Sequence, residues 1–212
     1  MRIITLLIFL FCQICYSQTN ADYVIYSKIL NNTIENWKFD SNKKTFIVIT
    51  DYVTTFSQRI NFKEYSEVFF GNDIQLAYMS LNYKDSLIKI REDQEFIDLF
   101  NRFSINCYDS IHLSSIYFNI KPIVKVVEKN EIELLFSKSN NNSVKQSWKK
   151  FYKRYPESLG YFEFSKVEYS ENFSVVYFVH RAKPLIGGGQ LIVLKKYNNT
   201  WNIYESLNLW ME

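Results

Sequence analysis

Few side chains here are of the kinds that carry out chemistry near neutral pH. There are two histidines, His112 and His180, and three cysteines, of which Cys12 and Cys15 lie in the first 17 residues. Histidine is the side chain whose ordinary pKa falls nearest physiological pH. His180 ends a β-rich run beside Arg181. It would become a hydrolytic base only if a carboxylate such as Glu163 or Glu168 met it in a cleft; otherwise it sits at a sheet edge. His112 reads as a loop or element-edge residue. A zinc centre takes three or four suitable ligands, and two histidines with Cys107 at unrelated positions do not supply one, so no metal or cofactor is expected. Ser165 lacks the glycines of a nucleophile elbow. Glu131 and Glu133 would share a face in a strand, as any two solvent-facing residues would.

The run Gly187-Gly188-Gly189 stands out in a chain of only five glycines. Successive glycine amides can form an anion nest, but phosphate loops lead into a helix with a lysine and hydroxyl at fixed offsets. This run leads into Gln190-Leu191-Ile192-Val193-Leu194, which reads as a strand. Sheet geometry is its first meaning and ligand contact its second. Tyrosine and phenylalanine number 16 and 18, enough to line a contact surface as well as a core. The candidate binding residues are Tyr155, Ser158, Gly160, Tyr177, His180, Arg181, Gly187, Gly188 and Gly189. A binding surface built from them requires Tyr155–Gly160 and Gly187–Gly189 to lie near one another.

The elements that must position these residues can be read from hydrophobic period. Residues 21–37 predict a helix, with Tyr23, Tyr26, Leu30, Thr33 or Ile34, and Trp37 at spacings of three and four and Asp22 as a candidate cap. Thr45–Thr50 predicts a strand. Residues 51–72 show no clean period. Ile74–Met79 and Asp93–Phe103 read as helical, the second with Glu92, Asp93 and Glu95 at its positive amino-terminal end. Pro122 introduces an extended Ile123–Val127, and Glu131–Phe136 is expected to be its hairpin partner across Lys129-Asn130. A polar connector, 139–143, feeds a helix across Val144–Tyr155. That helix presents Trp148, Phe151, Tyr152 and Tyr155 inward and its lysines to water, and Pro156 stops it.

The carboxy-terminal third predicts a four-strand antiparallel meander: Tyr161–Tyr169 with a bulge near Ser165-Lys166, Phe173–Arg181, Gly189–Tyr197 and Thr200–Leu209. The turns are Ser170-Glu171-Asn172, a wider connection over 183–188, and Asn198-Asn199. Both faces of Phe173–Arg181 are apolar and should be covered. In Thr200–Leu209 the residues Trp201, Ile203, Glu205, Leu207 and Leu209 alternate on one face. The fold class expected is α+β, an antiparallel meander packed with a few helices, as one domain over 18–212.

Residues 1–17 read as a cleavable signal. Arg2 is followed by an apolar core of about ten residues, half what a bilayer span requires. Cys15 and Ser17 suit cleavage after Ser17, and the residues before Cys12 and Cys15 are poor for lipidation. Cleavage leaves Cys107 as the single cysteine, so no intrachain disulfide is expected. The net charge of +3, without a basic stripe, argues against nucleic acid as a partner. No stretch after residue 20 is apolar enough to span a membrane. The expected location is the periplasm or the exterior of the cell.

The segments Phe151–Gly160 (with Tyr155-Pro156-Glu157-Ser158-Leu159-Gly160), Phe164–Tyr169, Gly187-Gly188-Gly189, Trp201-Asn202-Ile203 and Trp210 resemble a pattern in small exported proteins of unknown function from Bacteroidetes-like bacteria. Met211 and Glu212 after Trp210, and Glu168 where a glycine is usual, depart from it. The resemblance implies export and an antiparallel sheet, and brings no activity or catalytic residue. The function expected is a non-catalytic binding or accessory module for a protein or small-molecule partner; the alternative is a periplasmic or extracellular hydrolase with its site near the carboxy-terminal sheet.

Overall fold

The computed structural model describes residues 20–36, 46–50, 70, 89–107, 111, 113–136 and 143–212. The leader with Cys15, the segments 51–69 and 71–88, and Trp37 and His112 lie outside the described residues.

A seven-stranded mixed sheet forms the frame. Its strands are β1 (Phe46–Thr50), β2 (Ile123–Val127), β3 (Ser158–Phe164), β4 (Glu168–Tyr169), β5 (Phe173–Lys183), β6 (Ile186–Tyr197) and β7 (Thr200–Met211). The order is β2-β1-β3-β5-β6-β7, with β4 also paired to β5. From β3 to β7 the pairing is antiparallel, as the meander predicts. β1 runs parallel to both β2 and β3, which the sequence reading did not anticipate. The class is α+β, with a sheet that is mostly antiparallel and partly parallel.

The parallel portion follows from one corrected element. Residues 129–136 are a helix, α3 (Lys129–Phe136), not the hairpin partner of β2. Ile132, Leu135 and Phe136 fall at helical spacing and join Trp148 and Phe151 in one cluster. With the hairpin gone, the chain passes from β2 through α3 and the next helix to β3, and β1 lies between the two parallel strands. A parallel pair requires such a crossover. The helical geometry also separates Glu131 from Glu133: Glu131 Oε1 meets Arg154 Nε at 2.7 Å, and Glu133 meets Lys129 at 3.6 Å.

Helices cover both faces. The helix at 20–36, α1, packs Tyr26, Ile29 and Leu30 with Ile47, Phe162, Phe164, Val176 and Ile192. On the other face, α2 (Gln94–Asn106) packs Phe96, Leu99, Phe100 and Phe103 onto Val175, Tyr177, Val179 and Leu191. Each such phenylalanine contributes on the order of 2–3 kcal/mol by leaving water. Asp93 caps α2 by accepting from the Glu95 and Phe96 amides, which matches its acidic start. α4 (Val144–Arg154) starts with a capping box between Ser143 and Gln146. It buries Trp148 and Phe151 against Val48 and Tyr161, while Lys149, Lys150, Lys153 and Arg154 stay exposed. Tyr152 Oη donates to the Ala182 carbonyl, tying α4 to β5.

β5 is buried on both faces over nine residues, as its two apolar sides predict. The expected irregularity after β3 is a break at 165–167, where Ser165 Oγ accepts the Tyr177 amide at 2.9 Å. The connection over 183–188 is tighter than expected: β5 reaches Lys183, β6 begins at Ile186, and Leu185 takes a φ of 62° at the turn. In β7 the expected single-face alternation fails. Val193 pairs with Glu205 and Leu194 with Ile203, so Tyr204 is an extra residue and the parity flips. Trp201 and Ile203 therefore pack on the α1 face, and Tyr204, Leu207 and Leu209 on the α2 face.

Candidate functional site

Three of the predicted segments converge in one row across the sheet. Tyr161 pairs with Arg181, and Arg181 with Gly187. Gly160, at φ 100°, lies against β5 so closely that a Cβ would stand 2.8 Å from Ala182 Cα. This is the close approach that glycine alone permits. Gly160 thus lies across β5 from Gly187, while Tyr155 packs in the cluster of Val48, Trp148 and Tyr161.

What Gly187 and Gly189 make room for is side chain. A Cβ on Gly189 would stand 2.5 Å from Tyr177 Oη and 2.7 Å from Trp210 Cε2. One on Gly187 would meet Arg181 Cγ at 3.0 Å and Glu212 Oε2 at 3.4 Å. The bare β6 backbone is a trough in which residues from its two neighbours meet. Trp210 Nε1 donates to Tyr177 Oη at 2.7 Å. The Arg181 guanidinium lies 4.7 Å from the Trp210 ring and donates to Glu212 Oε1 at 3.1 Å. Tyr177 is fully buried and Arg181 is 4% exposed. This cluster clamps β5, β6 and β7 together. Tyr155 and Ser158 are also buried; their hydroxyls have no hydrogen-bond partner among the described residues.

His180 is not at a sheet edge. It sits on β5, between β3 and β6, with its ring 4.5 Å from Phe162 and Nε2 2.9 Å from the Leu159 carbonyl. Burial pushes its pKa down to about 4, against a smaller opposing effect of that carbonyl. It pairs with Phe162, whereas Glu163 pairs with Val179; alternation therefore sends His180 and Glu163 to opposite faces. Glu168 pairs with Val175, five residues along β5 from His180, and accepts from Asn106. The sheet does not assemble the hydrolytic pair.

A second titratable group was not among the candidates. Asp22 lies inside α1, which has begun by residue 20, so it is not the cap. Its carboxylate accepts from Tyr169 Oη at 2.5 Å. Burial raises its pKa to about 6, against the lowering effects of that hydrogen bond and of Lys166.

An open concavity lies elsewhere among the described residues. Between α1, the segment 117–119 and the start of β7 is a cavity of about 690 Å³. Its α1 wall carries Asn20, Val24, Ser27, Asn31 and Glu35, one face of the helix at spacings of three, four and seven. Tyr23 and Tyr117, with ring centroids 5.1 Å apart, form the aromatic part. The walls are tied together: Lys28 Nζ donates to the Trp201 carbonyl at 2.6 Å and to Asn202 Oδ1 at 2.9 Å. The Asn119 amide donates to Ser27 Oγ at 2.9 Å. None of these residues was nominated from the sequence. The asparagines come from three separate segments of an asparagine-rich chain. The one legible signal was the polar stripe of α1.

Among the described residues no cluster of three His, Cys, Asp or Glu side chains could hold a metal ion, and no helix is long and apolar enough to cross a membrane. Comparison of the chain with family models, curated proteins and solved structures finds no match.

Proposed function

We propose that the chain is an exported, non-catalytic binding or accessory module of the periplasm or cell exterior, with the groove between α1 and β7 as its contact surface. The carrying observation is the division of labour in the fold. The space beside Gly189 is filled by Tyr177 and Trp210, whereas the 690 Å³ groove is open and lies in the size range of small-ligand sites, about 300–1,000 Å³. Its polar groups hold fixed positions through the Lys28 and Ser27 ties, as a preorganised binding surface requires.

Two measurements test this. Cells expressing the full precursor should yield a mature chain beginning at Gln18 in the exported fraction; an intact precursor retained in the cytoplasm refutes export. Saturation-transfer NMR of the mature chain against mixed carbohydrates, peptides and nucleotides should give hits that an Asn31→Trp variant, checked for folding by circular dichroism, loses. Hits that survive the variant, or no hits, refute the groove as the contact surface.

A further inference from the structure

We infer that the groove between α1 and β7 binds a neutral, hydroxyl-rich oligosaccharide. The inference rests on the groove being the contact surface, and it adds the ligand's chemistry.

Carboxamides dominate the polar lining: Asn20, Asn31, Asn32, Asn119 and Asn202. A carboxamide offers donors and an acceptor within one rigid plane, and a sugar hydroxyl is likewise both donor and acceptor. Several of these groups are oriented by the protein itself. Asn31 Nδ2 donates to the Asn119 carbonyl at 3.3 Å, which leaves its oxygen and a second N–H. Asn202 is held by Lys28 and by its own bond to the Thr200 carbonyl at 3.3 Å. Asn20 and Asn32 are exposed, and their side chains make no hydrogen bond among the described residues.

Charge points the same way. Among the described residues the groove has one cation, Lys28, whose ammonium already serves a carbonyl and a carboxamide, and one acid, Glu35. A phosphate or carboxylate ligand would call for uncommitted cations, and a cationic ligand for more than one acid. The apolar part is small, namely Val24, Ile203 and the rings of Tyr23 and Tyr117. The Tyr117 ring, fixed against Tyr23 and partly exposed, offers a flat apolar face to the C–H side of a pyranose. Peptide recognition uses a free strand edge, an apolar helix groove or aromatic ridges for proline; β7 is an end strand of the sheet, but at the groove Lys28 Nζ already takes its Trp201 carbonyl, and the helix face opposite is polar.

The test is an ¹⁵N NMR titration of the mature chain that follows side-chain carboxamide signals. The probes are chitotetraose, maltoheptaose and isomaltotetraose, with a neutral alanine-serine hexapeptide and inorganic phosphate as competing classes. At least one oligosaccharide should shift the Asn31, Asn32 and Asn119 amides saturably. Asn32→Ala, at an exposed site that should not affect folding, should weaken that binding about five- to tenfold, and Asn31→Ala at least as much. If the hexapeptide or phosphate shifts these amides and no sugar does, the ligand class is overturned and the groove survives as a binding site. If no probe shifts them, or sugar shifts map elsewhere and resist both substitutions, the inference is overturned.

Discussion

Adding one carbon to Gly189 should cost far more than adding it to Gly188, one residue away. At Gly189 the new Cβ would stand 2.5 Å from Tyr177 Oη and 2.7 Å from Trp210 Cε2, and Tyr177 is fully buried with nowhere to retreat. Trp210 must therefore move. That forfeits its hydrogen bond to Tyr177, about 1 kcal/mol, and leaves a buried hydroxyl to be satisfied anew. It also loosens the Arg181 contact at 4.7 Å, about 0.5–1 kcal/mol at a partly exposed ring. The smaller backbone entropy of alanine returns about 0.5–1 kcal/mol. The expected net loss for Gly189→Ala is about 2–4 kcal/mol. At Gly188 the nearest atoms are the Trp210 carbonyl at 3.1 Å and Met211 Cγ at 3.7 Å, the latter on an exposed, flexible side chain. Gly188→Ala should therefore stay within about 1 kcal/mol. Urea denaturation followed by far-ultraviolet circular dichroism measures both. Trp210→Leu should partly relieve Gly189→Ala, giving a coupling of about 1–2 kcal/mol in a double-mutant cycle. Equal costs at the two glycines, or additive double mutants, would refute the account of the glycines as a trough for side chains.

Three further outcomes are expected. His180, with its folded pKa depressed to about 4 from 6.5, contributes stability that is full above pH 6.5 and lost as pH falls toward 4. The loss is about 3 kcal/mol, and His180→Leu should remove that slope from the pH dependence of urea unfolding. Asp22 has the opposite sign. Its folded pKa is raised to about 6, so its contribution is present below pH 4 and lost as pH rises through 6. Asp22→Asn should then stabilise the protein at pH 8 by about 1–2 kcal/mol, discounted for partial solvent access; no gain in thermal midpoint at pH 8 would refute this. Glu212→Gln removes the charge facing buried Arg181 across 3.1 Å. The expected loss is about 1–2 kcal/mol, less than for a fully buried pair because Glu212 is partly exposed, and it should shrink when Arg181 is replaced by Met.

The local elements were legible where side-chain period was strong. The helices at 20–36, 94–106 and 144–154 and the last strands lie close to where spacing and turn residues put them. Apolar residues at three and four, or at two, leave a short element little choice of face. The errors came where short-range pattern is degenerate. Glu131–Phe136 is apolar enough for either state, and only contact with Trp148 and Phe151 selects the helix. One extra residue in β7 moves Trp201 and Tyr204 to opposite faces, and no local signal marks Tyr204 as that residue.

By itself the sequence determined the apolar faces of the helices and the two apolar sides of β5 and singled out the run Gly187–Gly189, since these depend on residue type and nearest neighbours along the chain. The tertiary structure decided the meaning of that glycine run and the place of the open surface. Side chains from β5 and β7 meet beside Gly187 and Gly189 only once the strands are in register, and that packing fills the space the two glycines leave. The groove needs α1, residue 119 and residue 202 together, and contacts between positions so far apart in the chain follow from the path of the backbone, which no local spacing records.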